Sequence, residues 1–197
     1  MNRIAGRLLV ASPYLGDESF FRSVIYMIRH DEEGAFGLVL NRPSEHSLEA
    51  IFADRLGHSP KRKDAIHYGG PVEGPLMALH TLSGIGEPCG PDVVDGVGVS
   101  DEVAAESPLW VTADDDHLTM LVDRVDVRAR FVARYSGWGP TQLEQELAGG
   151  GWLVGPADWE SVFADAETMW EQVVKRLGGE IISEIVSSPV ASDPRWN

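Results

Sequence analysis

The chain has 197 residues, 16 basic against 31 acidic side chains for a net charge of −15, and a single cysteine, Cys89. That length suits one domain able to bury roughly 70% of the surface its unfolded form exposes. One cysteine excludes an intrachain disulfide and a thiolate metal cluster, and the acidity argues against a duplex-DNA surface, which needs a basic stripe.

Residues 7–12 (RLLVAS) read as a short buried strand, closed by a turn at Pro13 and Gly16. Residues 22–29 and 35–40 read as two strands joined by His30-Asp31-Glu32-Glu33-Gly34, a hairpin loop. In the first of them both alternating sets are apolar, as suits a central strand buried on two sides. Gly37 inside the second marks a bulge or a close backbone approach. Pro43 ends that strand. Ser47 caps a helix carrying Leu48, Ile51, Phe52 and Leu56, stopped by Gly57.

Residues 58–64 read as a polar loop whose KRKD run is a solvated turn. Ala65–Tyr68 is a short strand entering a tight turn at Gly69-Gly70-Pro71. A strand at 76–82, a Gly/Pro-rich loop at 83–91, a weak strand at Val93–Val99 and a short strand at Leu109–Thr112 follow. Asp114 caps a helix bearing Leu118, Leu121 and Val122. Residues 127–135 alternate, with Arg128, Arg130 and Arg134 on the exposed side of a half-buried strand. Ser136–Gly139 reads as a glycine loop, Pro140 opens a helix with Leu143 and Leu147, and Trp152–Val154 is a strand fragment. Asp165 caps the last helix, with Met169, Trp170, Val173, Val174 and Leu177 on its core face and Gly178 as its stop.

The helices are not spaced as regular βαβ units, so the expected fold is α+β with mostly antiparallel pairing and about four helices. Residues 1–186 are expected to form one compact domain, with 187–197 as a flexible tail. The first apolar run, Leu8–Ala11, is too short for a signal-peptide core, and no window approaches the roughly 18 apolar residues of a membrane span. The expected home is the cytoplasm, with no membrane partner.

The sequence holds no GxSxG elbow, no phosphate-binding GxxxxGK[ST], no GxGxxG after a strand and no HExxH. No catalytic residue, metal or cofactor is therefore assigned. Asp114-Asp115-Asp116-His117 offers oxygens for a hard cation, but acids also gather at helix starts for electrostatic reasons, and the cap reading is preferred. His80 reads as a hydrogen-bonded core residue.

Two loops are nominated as binding surfaces. Ser136-Gly137-Trp138-Gly139 opens a helix, where backbone N–H groups can hold an anion; alternatively, Trp138 plugs the core and the glycines make the turn. Asn41 and Arg42 end a strand and are expected to converge with Gly69 and Gly70. Arg42 either anchors a ligand or pairs with an acid to hold its loop.

Three long stretches carry a family resemblance: LLVASPYLGDESFFRSVIYMIRHDEEGAFGLVLNRP at 8–43, YGGPVEGPLMALH at 68–80 and SGWGPTQLEQELAGGGWL at 136–153. In them the chain resembles the AlgH/YqgE family of bacterial cytoplasmic proteins. The resemblance implies a compact α+β fold with coiled, partly split antiparallel sheets. It implies no reaction, and the "transcriptional regulator" label of some members comes without a DNA-binding motif. Segment 100–125 is more acidic than the family pattern, and the end after Gly178 departs from it. The sequence thus points to a non-catalytic protein that binds a protein or small-molecule partner, with a regulatory role as one use. The competing reading is an enzyme or anion-binding protein built on the helix start at 136–141, and direct DNA binding ranks last.

Overall fold

A computed structural model describes residues 4–89 and 109–187. The predicted strand Val93–Val99 and the tail beyond Ser187 lie outside them.

Strand β1, Leu8–Ala11, is apolar throughout because both its faces are buried. Leu8 and Val10 enter one core with Met169, Val173 and Leu177, while Leu9 and Ala11 enter another with Trp138, Leu143 and Trp152. Strands β2, Val24–Asp31, and β3, Gly34–Val39, form the expected hairpin. Val24 and Tyr26 join the first core; Ile25 and Met27 join the second. Beyond Met27 the ladder skips a residue, so that Met27 faces Gly37 and Arg29 faces Phe36. Ile28 is the bulged residue, and the bulge bends the hairpin's tip.

The other strands are β4 (Pro43–Ser47), β5 (Ala65–Tyr68), β6 (Val72–His80), β7 (Glu87–Cys89), β8 (Leu109–Thr112), β9 (Ala129–Trp138) and β10 (Trp152–Gly155). The sheet runs β10-β1-β2-β3-β9-β6-β8-β7, with β4 and β5 attached beside β9. Among the described residues every pairing is antiparallel except β5 with β9. The sheet curls into a half-barrel. The Tyr26 hydroxyl on β2 donates to the Cys89 carbonyl on β7 at 2.7 Å, although β3, β9, β6 and β8 separate those strands in the ladder.

Strand β9 joins the halves. Its first part pairs with β6 and with His67 and Tyr68 of β5; its last part, Ser136–Trp138, pairs with β3. Arg134 sits at the changeover with φ 66, a left-handed conformation uncommon outside glycine. This corrects the predicted loop at Ser136–Gly139: the strand continues to Trp138, because Gly37 and Ala35 of β3 give it a ladder partner. Glu87–Cys89, predicted as loop, is likewise a strand against β8.

Among the described residues, five α-helices cover the sheet. In α1, Leu48–Leu56, the Ser47 hydroxyl accepts from the Ala50 N–H, and Gly57 closes the helix at φ 70. In α2, Asp115–Leu121, the Asp114 carboxylate accepts from the N–H groups of Asp116 and His117, as a cap does. Both helices cover Ala78 of β6 and Phe131 of β9. Helix α3, Gln142–Ala148, covers the outer face of β1–β3, and a single turn, α4 (Trp159–Val162), was not foreseen. Helix α5, Met169–Ser187, fills the concave side over β1 and β2. It runs through Gly178 and Gly179 rather than stopping there. A glycine costs a helix only about 1 kcal/mol, so a pair of them need not end one.

Two arginines expected in solvent are buried. Arg62 of the KRKD run donates to the carbonyls of Leu121, Arg124 and Val127, fastening the end of α2, where helix carbonyls attract a cation. Arg130 is 8% exposed and donates to the Leu40 and Ala164 carbonyls, both at 2.7 Å, with His67 Nε2 at 2.9 Å. It ties the end of β3, β5 and the segment before α5 together.

Candidate functional site: a concave apolar cleft

A cleft of about 1140 Å³ lies against the curled sheet, walled by Ile28 of β2, Phe36 of β3, Met77 of β6, Val111 of β8 and Tyr135 of β9. The local sequence explains each wall. The bulge at Ile28 turns that side chain inward, and Phe36 and Tyr135 meet ring to ring at 5.1 Å. Val72, paired with Tyr135 across the ladder, forms part of the lip. Gly137 and Trp138 complete one side, Glu87, Pro88 and Cys89 the other.

The reactive side-chain types around this cleft are already engaged. His30 is buried; its Nδ1 accepts from the Ile4 N–H at 3.3 Å and its Nε2 meets Glu144 Oε1 at 3.1 Å, so neither ring nitrogen is left for a substrate proton. Burial pushes the Cys89 thiol up to about 12, which keeps it protonated and poorly nucleophilic at neutral pH. His117 holds Thr112 Oγ1 at 3.1 Å. Among the described residues no group of three or more His, Cys, Asp or Glu is placed to hold a metal ion.

The nominated residues divide between two places. Asn41, Arg42, Gly69, Gly70 and Ser136 meet at one junction, through backbone more than side chain. Asn41 accepts from the Val24 N–H at 2.9 Å and donates to the Arg22 carbonyl at 2.8 Å. Arg42 pairs with no acid among the described residues; its Nη2 donates to the Phe21 carbonyl at 2.7 Å and meets Ser23 Oγ at 3.1 Å. The Arg42 carbonyl accepts from the Tyr68 N–H, and the Gly69 carbonyl accepts from the Val39 N–H and the Ser136 hydroxyl. Asn41 and Arg42 also line a smaller cleft of about 260 Å³ with Phe21, Arg22, Glu167 and Trp170. There the Arg22 guanidinium lies 5.0 Å from the Trp170 ring.

Gly137 and Trp138 belong to the large cleft instead. Trp138 is 5% exposed, and its indole N–H donates to Glu146, which also accepts from Trp152. At the start of α3 the Gly139 N–H donates to Gln142 Oε1 at 3.1 Å. The Glu144 backbone N–H is taken by its own carboxylate, the largest cause of that carboxyl's lowered pKa, ahead of His30.

A family model described as DUF179, AlgH-like, matches residues 8–182. The chain belongs to the AlgH-like family. A UPF0301 protein of Myxococcus xanthus is 34% identical over 182 residues, covering 90% of this chain and 93% of the relative. One from Cytophaga hutchinsonii is 31% identical over 196 residues, covering 98% of both. The solution structure of the AlgH protein from Pseudomonas aeruginosa superposes with a TM-score of 0.64 at 25% identity, covering 93% of each chain. A crystal structure of a Corynebacterium diphtheriae protein gives 0.63 at 28% identity, covering 87% of this chain and 85% of that one.

In this AlgH-like fold the two glycines of the junction are fixed by space. A Cβ on Gly69 would lie 2.5 Å from the Arg134 carbonyl oxygen, and one on Gly70, at φ 152, 2.3 Å from that of Tyr135. Gly70→Ala is expected to cost about 2 kcal/mol. Thermal unfolding checks it: an unchanged midpoint would mean the β5–β6 turn is free to move away from β9. The cleft walls Ile28, Phe36, Met77, Val111 and Tyr135 were not nominated from sequence, since an apolar strand residue reads the same whether it faces a core or a cleft.

Proposed function

We propose that this chain is a binding protein that takes an apolar small molecule into the concave cleft, in a cytoplasmic setting. The observation that carries the reading is the cleft itself: about 1140 Å³, walled by Ile28, Phe36, Met77, Val111 and Tyr135, with a smaller set of polar side chains such as His30, Thr112 and Glu87 among its lining. Ligand sites are concave, mostly apolar and carry a few polar groups, commonly at about 300–1,000 Å³, and this cleft is somewhat roomier than that. The buried, protonated Cys89 and the fully engaged His30 favour binding over catalysis at this place. A regulatory role would follow from ligand occupancy rather than from DNA contact, which a net charge of −15 opposes.

The test is a titration with a neutral solvatochromic dye such as Nile red. The wild-type chain should bind it with blue-shifted emission. Val72→Asp places a charge on the lip at a position already exposed to solvent, so it should weaken binding about tenfold while the unfolding midpoint stays in place. Dye affinity unchanged by Val72→Asp and by Phe36→Ala would remove the cleft as the binding site.

A further inference from the structure

Resting on that reading, the charge around the cleft goes further and names the kind of ligand. Around the mouth stand Asp31, Glu87 and Asp114, against a single arginine, Arg29. The Arg29 guanidinium lies 3.3 Å from the Asp31 carboxylate, so these two offset each other. Asp114 spends one oxygen on the first turn of α2 and lies 3.7 Å from His117. Glu87 has no ion-pair partner among the described residues; it is exposed on β7, beside the buried Cys89 and across the ladder from Val111. The apolar walls thus open onto a carboxylate rim with one unopposed carboxylate at its edge. A low-dielectric wall beside a charge of one sign concentrates ions of the other sign, and the chain's net charge of −15 adds to this.

Pro88 narrows the choice of occupant. It lines the cleft in β7, which ends the ladder among the described residues, and has no N–H to offer, and the neighbouring Cys89 carbonyl is already taken by Tyr26. Strand addition by an extended peptide finds little to bond there. A ligand held by its apolar body and one terminal charge suits this edge better.

We propose that the cleft takes a small amphiphilic cation, with its apolar body between Ile28, Phe36, Met77, Val111 and Tyr135 and its ammonium or guanidinium end at Glu87. The experiment is displacement of Nile red by three decyl amphiphiles, each below its micelle concentration: decyltrimethylammonium, neutral decyl maltoside and anionic decyl sulfate. The expected order is cation first, about tenfold ahead of the anion at low salt. Glu87→Lys should reverse that order, the anion then displacing the dye ahead of the cation. Preference for the cation that survives Glu87→Lys, or equal displacement by all three amphiphiles, would overturn this proposal and leave the apolar cleft as the binding site. Failure of all three and of the dye would overturn the binding reading itself.

Discussion

Arg130→Ala is expected to lower the stability of the fold by about 4 kcal/mol. Arg130 joins three separate segments: the end of the β3 segment through the Leu40 carbonyl, β5 through His67, and the link before α5 through the Ala164 carbonyl. Alanine would strand both carbonyls without partners and leave a void among them. Each orphaned buried acceptor costs about 1–3 kcal/mol, and the void adds to that. The arginine is itself expensive. Burial pushes its guanidinium down to about 10, partly offset by the more distant Asp64 and Asp165, so it remains charged at neutral pH. Arg130→Met, which fills the space without the charge, should therefore cost about half as much as alanine. At this chain length, 4 kcal/mol corresponds to a fall of about 10 °C in the unfolding midpoint. A fall of under 2 °C for Arg130→Ala would show that the Leu40 and Ala164 segments hold together without it.

Lowering the pH from about 6.5 to about 4 is expected to destabilise the protein by about 4 kcal/mol through two buried histidines. His67 is pushed down to about 4, first by burial and then by the Arg130 cation. His80, 0% exposed, is also pushed down to about 4, first by burial and then by His117. Its Nδ1 accepts from the Leu82 N–H at 3.2 Å, and its Nε2 has no partner among the described residues. Both rings are neutral in the folded protein. In the unfolded chain they titrate near 6.5, so below that pH the unfolded state binds protons that the folded state refuses. Stability is complete above pH 6.5 and falls as the pH drops toward 4, by about 2 kcal/mol for each ring once some water access is allowed for. His58 works in the opposite direction, raised by the Leu56 carbonyl and Asp123, but it is exposed. Urea unfolding at pH 7, 5.5 and 4.5 checks this. His80→Leu should lower stability at pH 7 and roughly halve the slope; a slope that His80→Leu leaves unchanged would assign the acid sensitivity to other groups.

The frame of this fold was legible because short-range patterns and burial agree in it. The LLVA run of β1 and the doubly apolar β2 meant strands buried on two faces, and Ser47, Gly57 and Asp114 signalled helix ends that form as expected. The misreadings share one cause. Glycine and proline read as local breaks at Ser136–Gly139, Pro88 and Gly178; at the first two, pairing with β3 or β8 outweighs local preference, and at the third the helix absorbs the modest cost of glycine. Arginine was taken as a surface residue at 62 and 130, where distant carbonyls supply partners that no sequence window contains. The binding surface was half legible. Gly137 and Trp138 led to the edge of the large cleft, whereas Asn41, Arg42, Gly69, Gly70 and Ser136 led to a hydrogen-bonded junction beside the smaller one. The apolar walls carried no signal, since only the curl of the sheet sets Ile28 facing Tyr135.

The measurement that bears most directly on the proposed function is a two-dimensional NMR titration of the labelled protein with decyl maltoside, which has an apolar body and no charge. Saturable shifts should concentrate on Ile28, Phe36, Met77, Val111 and Tyr135. Shifts confined to exposed apolar residues elsewhere, such as Tyr14, Ile51 and Val125, or no saturable shift at all, would contradict the cleft as a ligand site.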